Sequence, residues 1–213
     1  MRTLIITLSL IALVLGGTAV PASASVLDDG LTFPQDPTVT HFSNTWGASR
    51  SGGRRHKGSD LMAPKLTPVY AIADGVVVRM HHSRLGGYGI EIDHGGGVSS
   101  VYIHLNNDTP GTDDGQGWPD WTYAPGLEIG DTVTRGQFIA FVGDSGNAEW
   151  TGSHTHFEIH INGSAQNPYH YLNPVFDAEL AALETTDLAV RLATLEQDHA
   201  VPDPTPTTAI GIN

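Results

Sequence analysis

The sequence predicts a mainly β fold, built as a single domain with a C-terminal amphipathic helix. Between about Val69 and Ile161, short runs rich in β-branched and aromatic residues alternate with Gly, Asp and Asn, which is typical of strands joined by tight turns. A length of 213 residues fits one domain with a sizeable core. The runs that predict strands most clearly are Gly75–Val78, Gly89–Asp93, Val98–Leu105 and Gln137–Gly143.

The first 24 residues have the layout of a signal peptide. Arg2 precedes an apolar run over residues 4–15, and small residues then lead to Ala24. The run is shorter than the roughly 20 apolar residues that span a bilayer, so we expect cleavage after Ala24 and no membrane anchor afterwards. The chain contains no cysteine, which excludes lipid attachment at this point and disulfide bonds in the fold. The expected location is secreted, periplasmic or cell-wall associated, with the folded domain over residues 25–175.

Glycines mark the predicted connections between strands. The segment His94–Gly97 lies between two strand runs and predicts a hairpin, because glycine adopts positive φ without steric strain. Gly130 and Asp131, just before Val133, predict a further turn.

A longer loop interrupts the strands between Asn106 and Gly126. The segment is rich in Asp, Gly and Pro and also contains aromatic residues that could wall a substrate groove. A loop of this length inside a compact domain is usually functional or mobile. Its acidic residues Asp108, Asp113 and Asp114 lack a recognisable calcium-ligand spacing, so a solvated insertion is favoured over a calcium site.

The C-terminal part changes to helical periodicity. Leucines recur every three to five residues among acidic residues, which predicts an amphipathic helix over residues 176–199. The repeat is too short for a coiled coil, so we expect the helix to pack on the edge of a sheet. Prolines and threonines over residues 200–213 predict a disordered tail.

The charge balance excludes some classes of partner. The chain has 23 acidic and 10 basic residues, a formal net charge of −13. Such a charge argues against nucleic acid or an anionic membrane surface as the main partner.

His56 and Asp60 form the first pair of potential metal ligands. Gly58 and the nearby Pro64 oppose a helix, so the two side chains would meet through a turn or an extended segment. A neutral imidazole and a carboxylate are both good zinc ligands. A His and an Asp at this spacing also occur often by chance, so the pair alone is weak evidence.

The run from His154 to Ile161 alternates strictly between polar and apolar residues. With a period of two, His154 and His156 lie on one face together with Glu158 and His160. The apolar face would anchor the strand in a core, and the two imidazoles would project about 7 Å apart into a groove or solvent. Two surface histidines on an amphipathic strand are the alternative.

A further histidine lies in the strand run over residues 98–105. Val101 and Ile103 share one face of this strand, which predicts that Tyr102 and His104 share the opposite, polar face. A lone histidine in such a place is more often a surface residue than a catalyst. Several motifs that point to one site together favour a functional role for this histidine over a surface position.

Together these residues resemble the lysostaphin-type or LytM-type zinc endopeptidases, which cut the cross-bridges and stem peptides of peptidoglycan. The resemblance runs from about Arg55 to Leu172, within a domain core of about residues 50–174. The matching motifs, in family order, are Arg55-x-x-Gly58-x-Asp60, Pro68-Val69-Tyr70-Ala71, Asp74-Gly75-Val76-Val77, Ile92-Asp93-His94-Gly95, Tyr102-x-His104-Leu105, Gly130-Asp131-x-Val133, Gly136-Gln137, Gly143-Asp144-Ser145-Gly146 and His154-x-His156-Phe157-Glu158.

The resemblance implies a role for each candidate residue. His56, Asp60 and His156 would bind one zinc ion, and His104 and His154 would be the paired catalytic histidines beside it. Which of these two acts as the base stays open. The implied fold is a narrow groove formed by mostly antiparallel sheets, and the implied substrate is the peptide part of peptidoglycan.

Two interpretations of function follow from the resemblance. The first is a secreted zinc metalloendopeptidase, expected to be a monomer, whose loop after His104 overhangs the groove and shapes substrate access. The second is a catalytically silent relative that binds and activates another wall hydrolase. Silent relatives typically lack one or more zinc ligands, whereas all of them are present here, which favours the enzyme.

Overall fold

The structure is a computed structural model that describes residues 26–27 and 30–198. Two single-turn 3-10 helices, Ser51–Gly53 and Gly146–Ala148, flank the strands near the candidate site. The strands are β1 (Ser59–Met62), β2 (Pro68–Tyr70), β3 (Gly75–Ser83), β4 (Gly87–Asp93), β5 (Val98–Leu105), β6 (Thr132–Val133), β7 (Phe138–Phe141), β8 (His154–Ile161) and β9 (Ser164–Gln166), and the long C-terminal helix is α1 (Tyr169–Asp198).

The strands form two antiparallel sheets. The larger sheet has the order β1-β8-β5-β4-β3-β6, and β9 pairs with β8 beyond the end of β1. The smaller sheet consists of β2 and β7. Both sheets contribute to one hydrophobic core, which includes Val69, Ile90, Ile139 and Phe157. The predicted mainly β, mostly antiparallel fold is therefore confirmed.

The predicted turns are also present. The β4–β5 hairpin closes where the His94 N–H donates to the Val98 carbonyl at 2.9 Å, and Gly95 to Gly97 all have positive φ. The His94 ring is buried and donates from Nδ1 to the Asp74 carbonyl. The turn at Gly130 is held by its N–H, which donates to the Val77 carbonyl at 2.8 Å.

The predicted faces of β5 are wrong in its middle part. Tyr102 is fully buried in the core, whereas Ile103 is only half-buried and lines the cavity described below. A phenol tolerates the core because its polar atom is satisfied. The Tyr102 hydroxyl accepts hydrogen bonds from the Ile72 N–H and the Ser100 hydroxyl, each at 3.1 Å.

Helix α1 begins at Tyr169, seven residues before the predicted start. Asn167 caps it by accepting a hydrogen bond from the Tyr169 N–H at 3.1 Å, and Pro168 follows the cap, an arrangement that favours helix initiation. Pro174 lies inside the helix and does not mark its start. The missed signal was therefore the Asn-Pro pair at 167–168.

Only the first part of α1 packs on the sheets. Leu172 is fully buried, and Glu179 accepts hydrogen bonds from Thr32 and Phe33 at 2.8 Å. Leu183 and Leu188 are 46% and 58% exposed. The expected packing of the helix against the rest of the fold is thus found in its first part, up to about residue 180, and Leu183 and Leu188 are largely exposed.

The loop over residues 106–126 has its own internal structure. The side-chain amide of Asn106 is buried and donates to the carbonyls of Asp108 and Trp121 at 2.7 and 2.8 Å.

In the described residues, no helix is long and apolar enough to cross a membrane. The predicted signal peptide over residues 1–24 and the predicted tail over 200–213 lie outside the described residues.

Candidate metal centre

Two neighbouring strands bring the predicted metal ligands together. Asp60 in β1 is the direct antiparallel partner of His156 in β8, so their side chains project from the same face of the sheet. His56 lies just before β1 and is buried beside them. The pairing of β1 with β8 thus joins two motifs that are about a hundred residues apart.

Three ligand atoms converge at nearly equal spacing. His56 Nε2 lies 3.0 Å from Asp60 Oδ1 and 2.9 Å from His156 Nδ1, and the last two atoms are 2.9 Å apart. Ligands of a tetrahedral zinc ion, each about 2.0–2.1 Å from the metal, lie about 3.3 Å from one another. The triangle is therefore close to the size that a zinc ion requires.

Hydrogen bonds on the far side of each ring fix which nitrogen faces the centre. The Nδ1–H of His56 donates to the Thr45 carbonyl at 3.0 Å, and the Nε2–H of His156 donates to the Glu158 carboxylate at 3.0 Å. Each neutral ring consequently presents a lone pair towards Asp60. Three acceptor atoms without a shared hydrogen repel one another, so the arrangement needs a proton or a cation between them.

The pKa values of the cluster agree with this geometry. Burial alone would raise the pKa of Asp60, but contacts with His156 and His56 lower it well below its usual range. Burial would lower the pKa of His156, whereas hydrogen bonds to Asp60 and Glu158 raise it. Burial also opposes ionisation of Glu158, yet hydrogen bonds to His156 and His160 lower its pKa to about 2. At neutral pH both carboxylates are therefore ionised and attract a cation.

Gly58 is required for this local geometry. A Cβ atom at this position would lie 2.5 Å from the Phe157 carbonyl oxygen and 2.6 Å from the ring of His156. Real Cβ atoms do not approach other atoms this closely, so only glycine lets the chain between His56 and Asp60 pass against β8.

His104 and His154 lie beside the cluster with their rings 5.0 Å apart. The Nδ1–H of His104 donates to the Ser145 carbonyl and that of His154 to the Gly152 carbonyl, each at 2.8 Å. In the neutral rings Nε2 is therefore the basic atom, and His154 Nε2 lies 3.9 Å from Asp60 Oδ1. Both histidines can accept a proton at the cluster.

His104 reaches the cluster through an unusual backbone conformation. Its φ is 62°, in the left-handed region, and its N–H donates to the Gly86 carbonyl at 2.8 Å. The previous residue, Ile103, already faces the cavity, so regular alternation would turn His104 towards the core. The positive φ interrupts the alternation and places both side chains in the cavity.

Burial keeps these two histidines neutral. Burial lowers the pKa of His104 to about 4, although the hydrogen bond to Ser145 opposes this change. The pKa of His154 is likewise lowered, chiefly by burial. Both rings are therefore in the basic form at neutral pH.

All five predicted site residues line one cavity of about 610 Å³. Sequence reasoning missed the partners around it, namely Thr45, Ser145, Gly152 and the carboxylate role of Glu158. Only Glu158 had a signal, because it shares the polar face of β8 with His156. The carbonyl partners depend on backbone positions that no residue type reveals. Arg50, which donates to Asp60 Oδ2 at 2.5 Å, was also missed.

The loop over residues 106–126 does not line this cavity, so the prediction that it overhangs the site is wrong. After β5 the Asn106 N–H donates to the Phe141 carbonyl at 2.9 Å, which directs the chain towards β7. The loop instead contributes Trp118 to a separate cavity of about 730 Å³, where its ring stacks on Tyr88 at 6.3 Å.

A second cluster of potential ligands lies at the base of this loop. Carboxylate oxygens of Asp108, Asp113 and Glu149 approach one another closely enough to hold a metal ion. The ammonium group of Lys65 contacts Asp108 at 2.7 Å, Asp113 at 2.6 Å and Asp144 at 2.9 Å. An internal cation thus contacts two of the three candidate ligands and offsets part of their negative charge. The preference for a solvated insertion over a calcium site stays a prediction.

The fold and the cavity define a β-sheet protein whose His–Asp–His cluster has the donor set of a metal site. The family model of Peptidase family M23 matches residues 54–116 and 123–168, just over half of the chain. The chain belongs to Peptidase family M23. This confirms the resemblance to lysostaphin-type and LytM-type peptidases.

Two curated relatives illustrate the similarity. The DD-carboxypeptidase/endopeptidase Mpg of Neisseria meningitidis is 38% identical over 117 residues, which cover 54% of this chain and 22% of that protein. Stage II sporulation protein Q of Bacillus subtilis is 28% identical over 167 residues, which cover 77% of this chain and 50% of that protein. The chain thus spans half or less of the length of these relatives.

Two solved structures share the fold. A zinc-containing peptidase from Vibrio cholerae has a TM-score of 0.52 and 25% identity, covering 65% of this chain and 39% of that chain. The catalytic domain of lysostaphin from Staphylococcus simulans has a TM-score of 0.50 and 27% identity, covering 63% of this chain and 92% of that chain. The domain described here therefore corresponds to nearly the whole lysostaphin catalytic domain.

Proposed function

We propose that this chain is an exported zinc metalloendopeptidase that hydrolyses peptide bonds in the cross-bridges or stem peptides of peptidoglycan. The observation that carries the proposal is the convergence of three acceptor atoms, from His56, Asp60 and His156, beside two neutral imidazoles in one open cavity. Three protein ligands and an accessible remaining position are typical of catalytic zinc sites, whereas structural sites are closed by four.

His56, Asp60 and His156 would hold the zinc ion. When bound, zinc supplies Lewis acidity, which lowers the pKa of water to about 7 and polarises a carbonyl group. The carboxylate of Glu158 would keep Nδ1 of His156 directed at the metal, and Thr45 would do the same for Nε2 of His56.

His104 and His154 would handle the protons of the reaction. Each holds Nδ1–H on a backbone carbonyl, so Nε2 is free to accept a proton from water and to return it to the leaving amine. Their lowered pKa values keep both rings in the accepting form at neutral pH. Two bases in one cavity allow one ring to accept while the other stabilises developing charge.

The substrate class rests on the relatives. The Neisseria protein is named as an endopeptidase of the DD type, and lysostaphin as an antimicrobial peptidase. A catalytically silent module that binds a partner is the second candidate, favoured by the similarity to stage II sporulation protein Q. The complete ligand set supports the enzyme over the silent module.

The deciding experiment measures zinc and hydrolysis together. Purified protein is loaded with zinc, its metal content is determined, and purified peptidoglycan is examined for new amino termini with and without a chelator. We expect one zinc per chain and chelator-sensitive release of peptides. His104→Ala should retain zinc but lose about 10²–10⁴-fold in kcat.

His170→Ala is the matched control, since this exposed histidine on α1 lies outside the cavity. It should behave as the parent protein. Bound zinc without any hydrolysis in the parent would reject the enzyme and leave the silent module.

A further inference from the structure

One rim of the metal cavity is strongly basic. Arg50, Arg54, Arg55 and Lys57 all line the cavity and all are exposed. We call these four residues the basic lip. They occupy an eight-residue segment and account for four of the ten lysine and arginine residues of a chain whose formal net charge is −13. The local charge is thus opposite in sign to that of the whole protein.

Most of the charge on the basic lip has no carboxylate to balance it. Arg54 donates to the carbonyl and hydroxyl oxygens of Ser51, and Arg55 donates to the Gly47 carbonyl and the Ser49 hydroxyl. These partners are neutral. Among the side chains that the structure describes, no carboxylate pairs with the ammonium group of Lys57.

The acidic residues of the cavity are already engaged. Asp60 and Glu158 are the carboxylates that line it among the described residues, and both contact the ring of His156. Arg50 is the member of the basic lip that pairs with one of them, through Asp60 Oδ2. Three exposed cations therefore face the cavity with their charge available to a ligand.

We propose that the basic lip is a subsite for a carboxylate of the substrate, so that the enzyme prefers acidic peptides. Arg55 and Lys57 flank the candidate ligand His56 directly, and an extended peptide advances about 3.3 Å per residue. The preferred carboxylate thus lies within about two residues of the scissile bond. This inference rests on the proposed peptidase function and specifies the substrate of the same cavity.

The basic lip attracts an anionic substrate locally, although the chain as a whole carries negative charge that repels it. Charges beyond about 8–10 Å are largely screened at physiological salt, so the acidic remainder of the chain does not oppose binding at the lip. A charged hydrogen bond to one carboxylate corresponds to about 10–100-fold in kcat/KM. Guanidinium groups that are already anchored by Ser51, Gly47 and Ser49 lose little freedom on binding.

The test compares one substrate in two charge states. Soluble muropeptides are prepared from peptidoglycan, and the carboxylates of one portion are converted to carboxamides with a carbodiimide and ammonia. We expect the parent protein to cleave the native portion about 10–100-fold more efficiently, mainly through KM. Lys57→Gln should reduce this preference, and Arg54→Gln combined with Lys57→Gln should remove most of it.

Arg191→Gln is the matched control, because it removes one positive charge from the exposed face of α1 and should leave the preference unchanged. Arg54→Lys should retain part of the preference, which separates charge from loop structure. Circular dichroism checks the folding of each variant. Equal cleavage of both portions by the parent would overturn the basic-lip inference while the peptidase function stands.

Absence of cleavage of either portion would reject the proposed function instead. The inference is then decided by binding alone, since fluorescence anisotropy of labelled muropeptides still reports affinity for the full chain. Tighter binding of the native portion that is lost in Lys57→Gln would support the basic lip as a carboxylate site. Equal affinity for native and amidated portions would reject it.

Discussion

The described residues contain two clusters of potential metal ligands, and they differ in where an internal cation contacts the ligand atoms. In the first, His56, Asp60 and His156 direct three acceptor atoms at one point, and each ring is oriented by a partner on its far side. In the second, Asp108 and Asp113 direct carboxylates at the ammonium group of Lys65. The cations that already contact the carboxylates therefore have to be considered together with their convergence.

The difference lies in the supply of an internal cation. Burial alone would lower the pKa of Lys65, but the hydrogen bonds that its ammonium donates to Asp108, Asp113 and Asp144 raise it above its usual value, so the ammonium stays charged. The guanidinium of Arg50 reaches only the outer oxygen of Asp60 and leaves the ring nitrogens unbalanced. The internal cation of the second cluster thus lies on two of the candidate ligands, whereas that of the first contacts Asp60 on its outer oxygen.

The largest expected effect follows from removal of a ligand in the first cluster. His156→Ala leaves two ligand atoms and should weaken zinc binding by more than the ~10–100-fold typical of replacing a residue that orients a ligand. Zinc affinity is measured by competition with a chromophoric chelator, with His170→Ala as control. Retention of parental affinity in His156→Ala would show that the metal binds elsewhere.

A fall in pH should affect the zinc ligands and the catalytic bases differently. The pKa of His156 is raised, so protons compete with zinc as the pH falls from 7 towards 5, and affinity should fall by up to about tenfold per pH unit. Burial holds the pKa of His104 near 4, so this ring remains neutral over the same range.

The two effects are measured separately. Zinc affinity is determined at each pH, and kcat is determined at saturating zinc, where it should change by less than about twofold. A parallel fall of kcat at saturating zinc would mean that one of the bases titrates near pH 6.5, contrary to its burial.

A smaller effect is expected when a ligand loses its orienting partner. Glu158→Gln keeps the shape of the side chain but removes the charge that holds the Nε2–H of His156, so zinc affinity should fall about 10–100-fold. Glu91→Gln, at a partly exposed ion pair with Arg79 outside the cavity, is the control and should leave zinc affinity unchanged. An unchanged affinity in Glu158→Gln would mean that β8 alone orients the ring.

Replacement of Lys65 should leave the carboxylates of the second cluster open to a cation from solution. Lys65→Met leaves the carboxylates of Asp108 and Asp144, both buried, without a cation. The free energy of unfolding should fall by about 1–3 kcal/mol, less than for a fully buried pair because the Lys65 side chain is 27% exposed. The loss should shrink in acid, where protonation neutralises the carboxylates.

Calcium should rescue this variant selectively. Millimolar calcium should raise the Tm of Lys65→Met by roughly 3 °C and leave the Tm of the parent unchanged, because Lys65 occupies the site in the parent. A calcium shift of equal size in both proteins would show that the cluster binds calcium despite Lys65.

Residue patterns within one strand were sufficient for part of the site. The alternation in His154–Ile161 predicted that His154 and His156 share a face, and Phe157 and Ile159 are indeed buried on the other. The same rule failed in β5, because Tyr102 is satisfied in the core and His104 has a positive φ. Alternation predicts faces only where the backbone stays extended and buried polar atoms lack partners.

The boundaries of the helix show a similar limit. The leucine spacing predicted the existence of α1. The start of the helix depends on the cap at Asn167, and its packing depends on the apolar surface that the sheets present. Leu188 has the same residue type as the buried Leu172 and is nevertheless 58% exposed. Periodicity reports the conformation of a segment and not the presence of a partner for its apolar face.

The sequence by itself determined the antiparallel β architecture, the two ligand motifs and the family, because these depend on local periodicity and residue order. Only the tertiary structure decided that Asp60 lies opposite His156, that Thr45 and Glu158 orient the ligand rings, and that Lys65 contacts the carboxylates of the second cluster. These contacts join residues far apart in the chain. Electrostatic balance is set by distances in space, which the spacing of residues along the chain does not contain.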